Sequence, residues 1–500
     1  MFKGKGLKNF IITLICQLSV LAFGFLLPKI TVSNLGSDAN GFLSTINDIF
    51  TYLALIEGGL GLALLNSLYK PLQNQDEETT SALLTASSRR FKITALVYLV
   101  ASIIVGLIYP LFLDTTLTYS VMSTSIIAYG IGGASTMFLA SSIIQYLIAA
   151  GKSYIREVVH LFIYFATSML KIVCIVLFQN IVMVCLTNSI LCLIEALIYK
   201  YYFKIKCKNF SLNSKTPLYE PLNEQKYFWV HQISSAIFGS TDLFIISIFC
   251  SLKWASIYAV YALIFTAISR IVASVFNSLK YLLGNAYVKD IEHYKKTHDI
   301  FDCIYMAVMF GLLLIAYLLS NSFVAIYMDG ADINYVDKYL PLLFVISNLL
   351  SSCRSVCNNT HNIAHRVKQN IIPTILEAIL NIGFSLLFVN MFGIYGVILG
   401  TIVALLFRTN QTIIYTNKYI LTRSSFATYK YILIYTILFV ALNFLCKYVI
   451  CATIDCYWQF IVWGVIYSAL VFLSYGLLCI VINKDIRIML NAEIRKKCKS

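Results

Sequence analysis

Apolar residues run in long, almost unbroken stretches from Asn9 to Ile482, and polar residues gather in the short breaks between them. A helix needs about 20 mostly apolar residues to cross a bilayer. The pattern predicts about fourteen such helices, at roughly 10–30, 41–69, 92–113, 119–149, 156–178, 181–203, 227–250, 255–280, 301–327, 339–361, 369–391, 394–416, 431–450 and 457–482. In lipid the backbone must satisfy its own hydrogen bonds, so only helices and closed barrels span. Barrel strands alternate apolar and polar residues, whereas these stretches are apolar on every face. The expected fold is therefore an all-α polytopic membrane protein.

The breaks divide the chain as six, six and two. The longest runs from Tyr199 to Lys226, with Lys200, Lys204, Lys206 and Lys208 followed by Pro217 and Pro221; another, Asn417 to Lys430, follows the twelfth stretch. The expected organisation is an N-terminal lobe at roughly 1–205, a cytoplasmic linker at 206–226, a C-terminal lobe at 227–417, two further helices within 418–482 and a basic tail at 483–500. Six plus six is the pattern of a transporter built from internal repeats around a central site. No outer connection is long enough to hold a catalytic or recognition domain.

Charge fixes the orientation. The 38 basic and 23 acidic residues leave a net +15, which could suggest nucleic acid. Its distribution says otherwise. With the N-terminus inside, about 30 of the basic residues fall in cytoplasmic segments, among them Lys3, Lys5, Lys8, Arg89, Arg90, Lys92 and the tail residues Arg495, Lys496 and Lys497. Both termini are expected in the cytoplasm, and the charge faces anionic membrane lipid rather than nucleic acid. The cysteines show no framework of spacings and read as small apolar fillers; Cys446, Cys451 and Cys456, near one outer loop, could pair in an oxidising compartment.

Three segments then carry a resemblance. The first runs from Pro28 through Asn34-Leu35-Gly36 and Gly41 to Leu55-Ile56-Glu57-Gly58-Gly59-Leu60-Gly61. The second is Ser240-Thr241-Asp242-Leu243-Phe244-Ile245-Ile246-Ser247 with Ile257-Tyr258-Ala259-Val260-Tyr261, and the third is Phe392-Gly393-Ile394-Tyr395-Gly396-Val397-Ile398-Leu399-Gly400-Thr401. In order and position they resemble the polysaccharide-biosynthesis flippases of the multidrug/oligosaccharidyl-lipid/polysaccharide (MOP) exporter superfamily. The resemblance implies two six-helix lobes forming a V, a cavity open alternately to either side, and two added C-terminal helices. It implies movement of polyprenyl-pyrophosphate-linked repeat units of O-antigen, capsule or another surface polysaccharide across the bacterial cytoplasmic membrane, beside a polymerase and glycosyltransferases of the same pathway. None of the family's cavity cations aligns with a motif here. Gly396 and Gly400 also form a GxxxG, whose first role is close helix packing.

The chemistry lies with ionisable residues at membrane depth. Lys171, Arg270, Arg354 and Arg408 are cationic; Glu57, Glu195, Asp242 and Glu377 are acidic. Each costs roughly 2.5–3.5 kcal/mol at a helix centre, so facing lipid the set would cost more than about 20 kcal/mol. They must face one another or a hydrated cavity. In one reading all pair as ties between helices. In the other, cations bind the substrate's pyrophosphate, for which arginine offers bidentate recognition, and a freed acid takes a sodium ion or proton that drives the cycle. Arg270 and Arg354 are the leading substrate candidates and Glu57 the leading acid.

Other chemistry is not expected. The chain has no G-x-x-x-x-G-K-[ST], so no P-loop. Cys353, Cys357, His361 and His365 recur every four residues, but helix drift takes first and last off a common face, and no metal site is expected. Neither a cofactor nor catalytic residues are expected. The rivals to a flippase are a cation-coupled multidrug exporter, whose cationic cargo an arginine-rich cavity would repel, and a membrane polysaccharide polymerase or glycosyltransferase, which would need a sizeable outer loop.

Overall fold

In a computed structural model of the chain, described for residues 2–57, 59–224, 241–364, 366, 368–450 and 453–489, the regular elements are all helices. Among the described residues twelve helices are long and apolar enough to cross a membrane. The first of them, Val20–Glu57, covers the second half of the expected first stretch (10–30) and the start of the second (41–69). It lies largely in α1 (Phe2–Leu53), which is broken at Gly36, where φ is 83° and ψ 172°. The expected seventh stretch falls outside the described residues up to 240; residues 241–249 form helix α8. The chain is a multi-pass all-helical membrane protein.

Two compact units form, Met1–Ser256 with Ala331–Ile333, and Ile257–Gly330 with Asn334–Ser500. The first holds α1, α2 (Leu60–Gln73), α3 (Glu77–Ile108), α4 (Tyr119–Leu139), α5 (Ser141–Ala149), α6 (Ser153–Val173), α7 (Ile181–Lys206), α8 and the first turn of α9 (Leu252–Lys289). Local chemistry sets the helix ends. Asp76 caps α3 by accepting from the Thr79 N–H at 2.9 Å, with Glu77 and Glu78 in the first turn, where the helix dipole favours negative charge. The same hydrogen bonds hold the Asp76 carboxyl below its usual range. Asn180 caps α7 through the Val182 and Met183 N–H groups, and Lys204 and Lys206 close its last turn.

The core of this unit gathers Phe42, Ile46, Phe50, Tyr98 and Ile126 in one cluster, and Leu64, Leu84, Tyr146 and Tyr199 in another. The polar segment after α7 is strapped down rather than loose. Its Ser211 N–H donates to Ser81 Oγ at 3.1 Å, Ser214 N–H to Thr85 Oγ1 at 2.8 Å, and Leu218 N–H to the Ala82 carbonyl at 3.2 Å. The loop residue Asp332 accepts from the Ser37 N–H at 3.1 Å and from Ser37 Oγ at 2.5 Å, beside the break at Gly36.

The second unit continues α9 and adds α10 (Ile291–Tyr327), α11 (Leu340–Cys353), α12 (Ser355–Ile363), α13 (Ile371–Phe392), α14 (Ile394–Tyr415), α15 (Phe426–Phe444) and α16 (Tyr457–Ile482). Here α13 and α14 form a tight hairpin. A Cβ built on Gly400 would lie 2.7 Å from Ser385 Cα, and one on Gly396 would lie 2.9 Å from the Val389 nitrogen. Both glycines therefore serve the close approach that GxxxG permits. Gly400→Val should lower the melting temperature of the purified protein in detergent, since the clash is with backbone; an unchanged melting temperature would contradict the hairpin packing.

The fourth expected stretch of each half is interrupted midway. The stretch at 119–149 breaks at Ala140, between α4 and α5, and that at 339–361 breaks at Arg354, between α11 and α12. Irregular backbone at membrane depth is tolerated where protein or a water-filled cavity surrounds it. That places Arg354 at a point of structural interest.

Candidate functional site

Arg354, Glu377 and Arg408 meet in the second unit. Arg354 Nη2 lies 2.8 Å from Glu377 Oε1, and Arg408 Nε donates to Glu377 Oε2 at 3.2 Å. Arg408 is 3% exposed and uses every face of its guanidinium. Its Nη1 donates to Gln411 Oε1, and its Nη2 to Asn370 Oδ1 at 2.8 Å and Thr374 Oγ1 at 3.2 Å. Arg354, at the helix break, keeps 14% of its side chain exposed. Among the described residues, two guanidiniums thus share one carboxylate. Arg270 lies on α9, exposed and without an ion pair among the described residues.

In the first unit Lys171 lines a cavity of about 120 Å³ with Thr31, Asn40, Ser44, Asn47 and Tyr129. No carboxylate lines it. Glu57 ends the 3-10 turn Ala54–Glu57, just ahead of Gly59 at φ 73°; Gly58, part of the same motif, lies outside the described residues. Glu195 has local partners, His160 Nδ1 at 3.4 Å and the Tyr199 hydroxyl, which donates to it at 3.2 Å. Asp242 lies on α8 within electrostatic range of Asp48 and Tyr52, and the Tyr52 hydroxyl is 2.5 Å from Thr241 Oγ1.

The structure brings forward residues that the sequence reading passed over. Asp48 sits inside the predicted 41–69 stretch and could have been singled out by the rule that found Glu57. Asp302, near the start of α10, is fully buried, and neither carboxyl oxygen has a hydrogen-bond partner among the described residues. Close by, Arg423 donates to Asp299 Oδ1 at 2.7 Å and Asn417 Oδ1 at 2.7 Å, and its Nη2 lies 3.2 Å from His298 Nδ1. Only the loop after α14 brings Arg423 there, so no spacing announced it.

The Cys/His run dissolves into separate contacts. His361 Nε2 is 2.8 Å from Thr416 Oγ1, and Cys357 Sγ is 3.9 Å from His298 Nε2, while His365 lies outside the described residues. Cys446 and Cys456 are free thiols; Cys451 lies outside the described residues, as do the tail residues Arg495, Lys496 and Lys497.

No family profile and no curated protein matches the sequence. Solved structures do match its fold. The lipid II flippase MurJ in an inward closed conformation is 13% identical, covering 94% of this chain and 98% of its own, with a TM-score of 0.71. An inward-facing multidrug-resistance MATE transporter of the MOP superfamily is 15% identical over 81% of this chain and 97% of its own, with a TM-score of 0.63. A MOP superfamily transporter from Pyrococcus furiosus is 14% identical over 84% and 98%, with a TM-score of 0.58. The fold is MATE- and MurJ-like.

Proposed function

We propose that this chain is a transporter of the flippase type, moving a polyprenyl-pyrophosphate-linked oligosaccharide from the inner to the outer leaflet of the bacterial cytoplasmic membrane by alternating access. The observation that carries the reading is the pairing at the helix break, where among the described residues Arg354 and Arg408 both meet one carboxylate, Glu377. A buried arginine-rich site favours an anionic cargo and repels a cationic drug, which weighs against the multidrug alternative. The fold shared with a lipid II flippase over 94% of this chain supports a lipid-linked cargo.

Within this reading Arg408 is the tie that holds Glu377, and Arg354 and Arg270 face the pyrophosphate. Asp242, with Asp48 facing it, is the acid that a sodium ion or proton would neutralise, since two carboxylates in one polar site repel when both are ionised. Glu57 is the second candidate for that role. Both termini face the cytoplasm, where the basic segments meet anionic lipid. Glycosyltransferases that build the cargo and a polymerase that consumes it are the expected neighbours in the pathway.

Deletion of the protein should leave lipid-linked oligosaccharide trapped on the cytoplasmic leaflet while its synthesis continues. The measurement is extraction of lipid-linked sugars, with leaflet location read by an enzyme or lectin that cannot cross the membrane. If the deletion strain makes no lipid-linked oligosaccharide at all, the chain acts in synthesis and the transport reading fails.

A further inference from the structure

We infer that Cys303 and Cys479 form a modification site in the second unit, a dithiol that hydrogen peroxide converts into a disulfide joining α10 to α16. Both thiols are free, and their sulfurs lie 3.2 Å apart although the residues stand 176 positions apart in the chain. A disulfide needs about 2.05 Å between its sulfurs, so they have to approach by only about 1 Å. The Cys479 carbonyl oxygen lies 3.9 Å from Cys303 Sγ, so the backbone of α16 already stands within side-chain reach. Two contacts hold it there. The Asn483 amide, just past α16, donates to the Asp299 carbonyl at 3.4 Å and to the Tyr431 hydroxyl at 3.1 Å.

Cys479 is 6% exposed and Cys303 0%, so only a small oxidant enters and it meets Cys479 first. The way in is short. Cys479 lies within one turn of the end of α16 at Ile482, and Asp299, one turn before Cys303 on α10, keeps 24% of its side chain exposed. The Cys479 thiolate attacks one peroxide oxygen, the O–O bond breaks, and the sulfur becomes a sulfenic acid while the other oxygen leaves as water. The Cys303 thiolate then attacks the sulfenic sulfur, forming the S–S bond and releasing a second water. The two thiols give up two electrons and two protons, and the peroxide is reduced to two waters. The Tyr435 hydroxyl lies 3.1 Å from Cys303 Sγ and donates to the Cys303 carbonyl at 3.2 Å. Turned to the sulfur, the same hydroxyl steadies the attacking thiolate. With both termini in the cytoplasm, as proposed above, this end of α16 faces a compartment where glutathione keeps thiols reduced. The disulfide then forms under peroxide and reverses afterwards.

The test needs no transport assay. Purified full-length protein, reduced and then exposed to hydrogen peroxide in nanodiscs, is unfolded in N-ethylmaleimide to block the remaining thiols. It is then digested and read by mass spectrometry. The expected product is a linked pair of peptides carrying Cys303 and Cys479, two hydrogens lighter than the separate thiol peptides and returned to them by dithiothreitol. Cys479→Ser should remove the linked pair and leave Cys303 open to N-ethylmaleimide. Cys303→Ser should instead leave Cys479 as a sulfenic acid that dimedone captures. Tyr435→Phe should slow linkage about threefold without changing which thiols link. If either serine variant fails to fold, the wild-type protein and the alanine variant at the same position carry the comparison. Both cysteines still open to N-ethylmaleimide after peroxide would overturn the site. So would linkage of either one to a different cysteine, or oxidation of Cys479 that never proceeds to the disulfide.

Discussion

Arg408→Ala should sharply reduce the amount of folded protein, whereas Arg354→Lys and Arg354→Gln should abolish transport and leave the amount near normal. The two arginines share Glu377 yet are held differently. Arg408 is 3% exposed and donates to Glu377, Gln411, Asn370 and Thr374. Removing it strands part of a buried carboxylate and three polar side chains, and breaking a buried pair from one side costs about 3–5 kcal/mol. Adding Glu377→Gln to Arg408→Met should recover only part of that loss, because Arg354 then stands without the carboxylate it shares. With Arg354→Gln, Glu377 keeps Arg408 and the pair stays neutral, so folding survives. What goes is the Arg354 charge at the helix break; Arg354→Lys keeps the charge but loses the planar fork. Arg270, exposed and outside any described ion pair, should follow Arg354. Fluorescence-detected size-exclusion profiles report the amount, and leaflet-resolved lipid-linked sugar reports transport. If Arg354→Gln and Arg408→Ala lose protein alike, both arginines are ties and the substrate role of Arg354 is gone.

Gly41→Ala and Gly476→Ala should shift the melting temperature in opposite directions. At Gly41 in α1 a Cβ would overlap the Leu252 carbonyl oxygen and lie 2.8 Å from its carbon and 3.2 Å from the Ser256 nitrogen. Those are backbone atoms at the start of α9, which no rotamer change can clear. The Asn40 amide donates to Ser256 Oγ at 2.7 Å across the same contact, so forcing the helices apart also stretches that bond. Overpacking costs about 1–3 kcal/mol, and the upper end is expected here. At Gly476 in α16 nothing lies within 4 Å of an added Cβ, and exchanging glycine for alanine inside a helix stabilises by about 0.4–1 kcal/mol. Thermal unfolding of both variants in one detergent checks the contrast. Equal shifts would mean that α1 does not approach α9 as described.

The helices were legible because the bilayer imposes a one-dimensional test: each crossing needs its own apolar run, and the runs at 92–113, 181–203, 394–416 and 457–482 lie within or close to helices α3, α7, α14 and α16. The same test marked Glu377 and Arg408 as ionisable groups that lipid would not tolerate. Burial and helix breaks were less legible. Nothing local distinguishes Arg354, where a helix stops, from Arg408, inside one, and the bend at Gly36 became visible only as a backbone angle of φ 83°.

Partnership is what tertiary structure alone decided. Glu377 could have paired with any of four cations; packing of α13 against α14, with the α11–α12 break alongside, gave it to Arg354 and Arg408 and left Lys171 a cavity with no acid in it. Asp332 reaches Ser37 across 295 residues of chain, and Arg423 reaches Asp299 across 124. The sequence determined that these charges had to be compensated, since the cost of leaving a charge in lipid depends on depth and depth follows from position along a span. Which group compensates which depends on distances between helices, and those are set by side-chain and glycine packing that no single stretch of sequence encodes.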